Sequence, residues 1–187
     1  MAAKKKNVIK KAAKGAKKAA RKVAKKARRA QPIPKGFHTA TPSLIVRGAA
    51  DALEFYKNAF GAKELSRMAD PSGKVMHAEI RIGDSIIMLG DEFPEMGARG
   101  PQSIGGTGSS VMLYTKDVDA LFERAVKAGA KVLMPVANMF WGDRYGRVED
   151  PFGHQWQLAT HIEDLTPKEM AKRAQAAFSA PPGGGQG

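Results

Sequence analysis

Asp143 to His161, DRYGRVEDPFGHQWQLATH, is the stretch whose reading decides the fold. It reads as two strands joined by a tight turn at Asp150-Pro-Phe-Gly153. Pro presets φ at about −65°, and Gly takes the position that needs positive φ. The residues after the turn alternate. His154, Trp156 and Leu158 point one way, and Gln155, Gln157, Ala159 and His161 the other. The pattern predicts a strand with a core behind it and a polar cavity in front.

The 187 residues suffice for one domain of ordinary size, and the formal net charge is +13. That charge is uneven. Residues 1–35 hold 15 of the 31 Lys and Arg and no acid; Asp51 is the first acidic residue. The other 152 residues carry 16 basic and 18 acidic side chains, so the folded part is mildly acidic. With no Cys in the chain, disulfides, Cys-ligated zinc and Cys nucleophiles are excluded. No apolar run approaches the ~18 residues of a membrane helix. The N-terminus lacks the apolar region of a secretory signal, and its lack of early Ser or Thr argues against a mitochondrial transit peptide.

The tail is Lys and Ala with a few Arg. Ile9, Ala13, Ala16, Ala20, Val23, Ala27 and Ala30 fall at helical spacing, but the stripe is too small to bury much surface. It is expected to be disordered and helix-prone. Lys4, Lys5, Lys6, Lys10, Lys11, Lys14, Lys17, Lys18, Arg21, Lys22, Lys25, Lys26, Arg28 and Arg29 either solvate the chain or bind DNA or RNA through phosphates, without base readout. A membrane surface is the weaker partner, because no Trp, Phe or Leu is there to insert. The expected location is cytoplasmic, with the nucleoid added if the tail engages DNA.

Pro32 and Pro34 close the tail. His38 to Val46 then reads as a strand, and Ala49, Leu53, Tyr56 and Phe60 make a helical stripe stopped by Gly61. Strands follow at 63–67, 75–82 and 85–89. Residues 91–108 are rich in Gly and Pro and read as a linker that connects, or also covers a cleft. The order then restarts: a strand at Ser110–Tyr114, a helix carrying Val118, Leu121, Phe122 and Ala125, a strand at 131–136, and the opening hairpin. Gly61-Ala-Lys63 and Gly129-Ala-Lys131 match at an offset of 68, and Thr41/Ser110 and Met88/Gln157 at 69. The predicted fold is α+β: two tandem βαβββ modules, 38–90 and 109–161, forming a curved mixed sheet around a cleft. Thr166-Pro-Lys-Glu169 is a capping box that starts a helix over 166–178. The domain is expected to span 36–178, with 179–187 a disordered Pro/Gly-rich tail.

These modules, together with AADALEFYKNAFGAKEL, KVMHAEIRIGDSIIMLGDEFPEM, the WGDR of Trp141–Arg144 and DPFGHQWQLATHIED, resemble the vicinal oxygen chelate superfamily. That superfamily contains glyoxalase I, extradiol dioxygenases, and fosfomycin- and bleomycin-resistance proteins. The chain is most similar to its PhnB-like glyoxalase/bleomycin-resistance branch. The resemblance covers about residues 36–172 and implies a homodimer. In metal-dependent members two positions per module, usually His, Gln or Glu, hold a divalent ion. Here the resemblance puts them at Thr41, Met88, Ser110 and Gln157. Two weak hydroxyls and a soft thioether suit a hard ion poorly, so no metal cofactor is expected.

His77 and Glu79 lie two apart on one strand and share a face, fit for acid–base work or for ligating a displaced Zn, Ni, Mn or Fe. Hydrogen bonding within a polar strand face, to a ligand, water or Arg81, is the plainer account of the pair. His161 shares the Gln157 face near the strand end, whereas His154 reads as structural. Trp141, Asp143 and Arg144 are expected in a loop at the cavity mouth, either greeting a ligand or tying the loop through an Asp–Arg pair. The leading expectation is metal-independent binding of a small organic molecule between Thr41, Ser43, His77, Glu79, Met88, Ser110, Tyr114, Trp141, Asp143, Arg144 and Gln157. The alternative is a glyoxalase-type lyase or isomerase with a metal on His77 and Glu79.

Overall fold

The periodicities condense into two four-stranded mixed sheets with helices packed on them. The computed structural model describes residues 31–179; the expectations for residues 1–30 and 180–187 lie outside the described residues. The chain divides into Met1–Lys35 and Gly36–Gly187, and every element among the described residues belongs to the second unit. The first module runs β1 (Ser43–Val46), α1 (Ala49–Phe60), β2 (Lys63–Ala69), β3 (Val75–Ile82) and β4 (Ser85–Asp91). After a 3-10 turn at Pro94–Met96 and a short α2 (Pro101–Ile104), the second runs β5 (Ser110–Tyr114), α3 (Val118–Lys127), β6 (Lys131–Asn138), β7 (Asp143–Glu149) and β8 (Gln155–His161). Helix α4 (Pro167–Ser179) follows; its first turn is closed by the Thr166–Glu169 capping box, with Thr166 N–H donating to Glu169 Oε2 at 3.0 Å.

The strand orders are β1-β4-β3-β2 and β5-β8-β7-β6, with the first and last strands of each module parallel. This is the predicted α+β duplication, and the register makes the repeat quantitative. Ser43 pairs with Met88 as Met112 pairs with Gln157, an offset of 69; Glu79 opposes Met88 as Arg147 opposes Gln157, where 79 and 147 differ by 68. The extra residue sits in the β7–β8 turn at Pro151–Gly153, where Gly153 takes φ +87°. Strand β1 is shorter than the expected 38–46. Pro42 has no N–H to donate, and the pairing it retains is its carbonyl accepting from Met88 N–H at 2.9 Å.

The two sheets are not joined strand to strand among the described residues. They share one core, in which α1 packs on α3. Leu53, Tyr56 and Phe60 of α1 meet Trp156 and Leu158 of β8, with the Phe60 and Trp156 rings 4.5 Å apart. On the α3 side, Gly146 leaves room for the Phe122 ring; a Cβ there would stand 2.9 Å from it. Each sheet therefore has one face on the helices and an outer face turned away from them.

Asp150, only 3% exposed, locks the modules together. Its Oδ2 accepts from Tyr56 O–H at 2.8 Å and Trp156 Nε1–H at 2.9 Å, and its Oδ1 accepts from Phe152 and His154 N–H, both at 2.9 Å. Burial, and then the Asp150 charge, push the Tyr56 hydroxyl well above its usual pKa, so it remains a donor. His154 is structural as expected, its Nε2 donating to the Ile45 carbonyl at 3.0 Å. Removing the carboxylate strands several buried donors, whereas removing the Tyr56 hydroxyl removes one bond. Asp150→Ala is expected to cost roughly 3–5 kcal/mol in chemical denaturation and Tyr56→Phe about 1–2 kcal/mol. Equal losses would refute the shared-carboxylate account.

Candidate functional site

Alternation along the central strands decides which residues reach the outer faces. In β3 and β4, Ala78, Ile80, Ile87 and Leu89 go to the core. That leaves His77, Glu79 and Met88 on the outer face of the first sheet, with Ser43 beside Met88. His77 Nε2 and Glu79 Oε1 lie 3.3 Å apart, both partly exposed. A depression of about 230 Å³ is lined there by Ser43, Ile45, His77 and Gly90, with Phe93, Met96 and Ala98 of the connector as its wall. The 91–108 segment thus covers part of this face as well as linking the modules. Buried Glu92 pins it, accepting from Gly100 N–H at 2.7 Å and Ser103 O–H at 2.9 Å.

The outer face of the second sheet carries a different set. Gln157 is held at both ends: Tyr145 O–H donates to its Oε1 at 2.9 Å, and its Nε2 donates to Ser110 Oγ. Asp143, 3% exposed, accepts from Tyr114 O–H at 3.1 Å, Trp141 Nε1–H at 3.1 Å and His161 Nδ1–H at 2.7 Å. Burial and then the Asp143 contact raise the Tyr114 pKa. Asp143 and Arg144 were expected in a loop, meeting a ligand or paired with each other; both lie instead in β7, on opposite faces. Arg144 points to the helix side and makes a two-pronged bond to Asp119 of α3, 2.6 Å on each arm. It is not part of the outer face.

Between the modules runs a groove of about 460 Å³. His38, Pro42 and the Ile82–Ile87 hairpin form one side, Val111–Tyr114 of edge strand β5 with the following Thr115 the other, and Phe60, Leu121 and Arg124 also line it. Met112 and Tyr114 border this groove, which holds none of Gln157, His77, Glu79 and Trp141. The expected site residues are therefore not gathered in one place within a single chain. Ser43, His77, Glu79 and Met88 share the first sheet; Ser110, Tyr114, Asp143 and Gln157 share the second, with Trp141 beside them.

The four positions where metal-dependent relatives hold an ion do not fit one. Met88 offers a thioether, and the Gln157 amide is occupied at both ends. The Thr41 hydroxyl donates to the His38 carbonyl at 3.1 Å. Hard divalent ions need oxygen or imidazole ligands. Two features escaped the sequence reading. One is the Asp143–His161 pair. The other is Arg147, which hairpin register places opposite Gln157. Pairing the strands outward from the DPFG turn would have found both.

His161 lies between two carboxylates, Asp143 at Nδ1 and Asp164 at Nε2, 2.7 and 3.0 Å away. The Asp143 bond, then the Asp164 bond, raise its pKa. Its stabilising contribution is complete below the unfolded value of about 6.5 and is lost as pH rises through the folded value. The stability gap between the native chain and His161→Gln should be wider at pH 6 than at pH 9, and an NMR titration should place His161 above a free imidazole. An unshifted titration would refute this reading.

Residues 37–158 match the model of the Glyoxalase/Bleomycin resistance protein/Dioxygenase superfamily. The Mycobacterium bovis protein Mb0911c is 44% identical over 143 residues, which cover 75% of this chain and 91% of that protein. The crystal structure of the Arabidopsis thaliana product At5g48480 is similar at TM-score 0.54 and 31% identity, over 66% of this chain and 98% of that one. The PhnB protein of Bacillus cereus shares the fold at TM-score 0.51 and 21% identity, over 66% and 99% of the two chains. Duplicated modules, their register and the matched model agree: this chain belongs to the Glyoxalase/Bleomycin resistance protein/Dioxygenase superfamily.

Proposed function

We propose that the protein binds a small organic molecule, without a metal, in a homodimer whose cleft is built from the outer faces of the sheets. The first sheet of one copy would face the second sheet of the other, joining His77, Glu79, Ser43 and Met88 to Tyr114, Trp141, Asp143 and Gln157. One observation carries this reading. The outer faces hold the polar and aromatic side chains, yet the single chain leaves them open: Met68, Met76 and Met112 are exposed and Tyr114 is 64% exposed. Water-exposed apolar groups beside ordered polar ones suit a ligand cleft completed by association.

A second reading rests on the 3.3 Å contact of Glu79 with His77, which lines the 230 Å³ depression. There the pair would bind Zn, Ni, Mn or Fe and support lyase or isomerase chemistry of glyoxalase type. In either case the basic residues of 1–35 would hold the domain to DNA or RNA in the cytoplasm or nucleoid, by charge alone.

Sedimentation should show a dimer, and native mass spectrometry should find an organic molecule carried through purification. Stoichiometric Zn, Ni, Mn or Fe, lost in a His77→Ala, Glu79→Ala double variant, would replace the first reading with the second. DNA binding by the full chain should fall steeply with salt and vanish when residues 1–35 are deleted; retention by the truncated chain would exclude the tail as the contact.

A further inference from the structure

We propose that Arg147 receives an anionic group of the ligand, a carboxylate or phosphonate carried on an aromatic or apolar body. This rests on the small-molecule reading above and names the ligand's class. Arg147 lies on the outer face of β7, opposite Gln157 and beside Tyr145. Its Nε is sealed from solvent and has no hydrogen-bond partner among the described residues. A sheltered donor left unpaired is costly, and such a group calls for a partner the chain does not supply.

The neighbours cannot meet that need. Arg147 Nη2 donates to Gln155 Oε1 at 2.6 Å, a neutral acceptor that leaves the charge uncompensated. The Gln157 amide oxygen already accepts from Tyr145 and its nitrogen donates to Ser110. Arg147 forms no ion pair among the described residues; nearby Glu149 lies 4.0 Å from Lys131. Residues 1–30 and 180–187 contain no Asp or Glu at all. Nε keeps one unpaired hydrogen and Nη2 a second beside its bond to Gln155, so a turn of the side chain that uncovers Nε presents the fork that matches a carboxylate. The aromatic body has surfaces nearby: the Trp141 and Tyr145 rings are 5.5 Å apart, edge to face.

The module repeat supplies one competitor. Glu79 occupies in the first sheet the place Arg147 occupies in the second, since each opposes the central residue of its last strand, Met88 or Gln157. In a dimer that apposes the two sheets, Glu79 of a second copy could meet the guanidinium instead. Ligand and subunit contact make different demands, and one set of measurements separates them.

The full chain is titrated calorimetrically with benzoate, phenylphosphonate and neutral benzamide, while the Arg147 Nε–H resonance is followed by NMR. The anions should bind at least tenfold more tightly than benzamide and shift that resonance. R147M should abolish the preference, and R147K should restore part of it. Benzamide binding as tightly as benzoate, unchanged in R147M, overturns the anion site and leaves the small-molecule reading intact. No binding by any probe, with the resonance unmoved, overturns both. Dissociation of the dimer by both R147M and E79Q, with no response to benzoate, assigns Arg147 to the subunit contact and overturns the proposal.

Discussion

The Asp150 carboxylate stands where the two modules meet, buried and accepting from a tyrosine of one module and a tryptophan and two backbone amides of the other. A desolvated carboxylate is tolerated only where several donors replace its water. Here those donors come from α1, the β7–β8 turn and β8, so the charge is satisfied only when all three are in place. The same turn sets the register of the last hairpin, and that register decides which residues face away from the core. Fold and outer face thus depend on one group.

The duplication gives two sheets of the same construction with different surfaces. At the centre of the last strand, Met88 corresponds to Gln157; on the strand beside it, Glu79 corresponds to Arg147. One outer face has an acid beside a histidine and a thioether; the other has a guanidinium, a tied amide and an aromatic set around a buried carboxylate. Their shared helical core keeps them on separate sides of the chain. Chemistry requiring both faces would require a second copy, whereas chemistry confined to one face would not.

Much of the fold was legible because its signals are local. Period-two alternation, the 3.6-residue stripe of α1, the two Gly-Ala-Lys stops and the DPFG turn each act over a few residues, and together they yielded the element order and both repeat offsets. The boundary at β1 was misread because Pro42 interrupts pairing while leaving the alternation of side chains intact. The site was legible only in part. His77 and Glu79 share a face by alternation alone, and so they do in the structure. Arg144 was grouped with Asp143 because they are adjacent in sequence, yet adjacency within a strand sends side chains to opposite faces.

What the sequence determined by itself was the duplicated α+β architecture, the concentration of positive charge in residues 1–35, and the poor match of Thr41, Met88, Ser110 and Gln157 to a hard metal ion. These follow from residue identity and short-range spacing. Among the described residues tertiary structure decided the rest: the helices share a core and leave the sheets unjoined, Arg144 turns inward to Asp119, and Arg147 keeps a sheltered donor unpaired. Each depends on which distant groups come within hydrogen-bonding distance, and no local pattern encodes that.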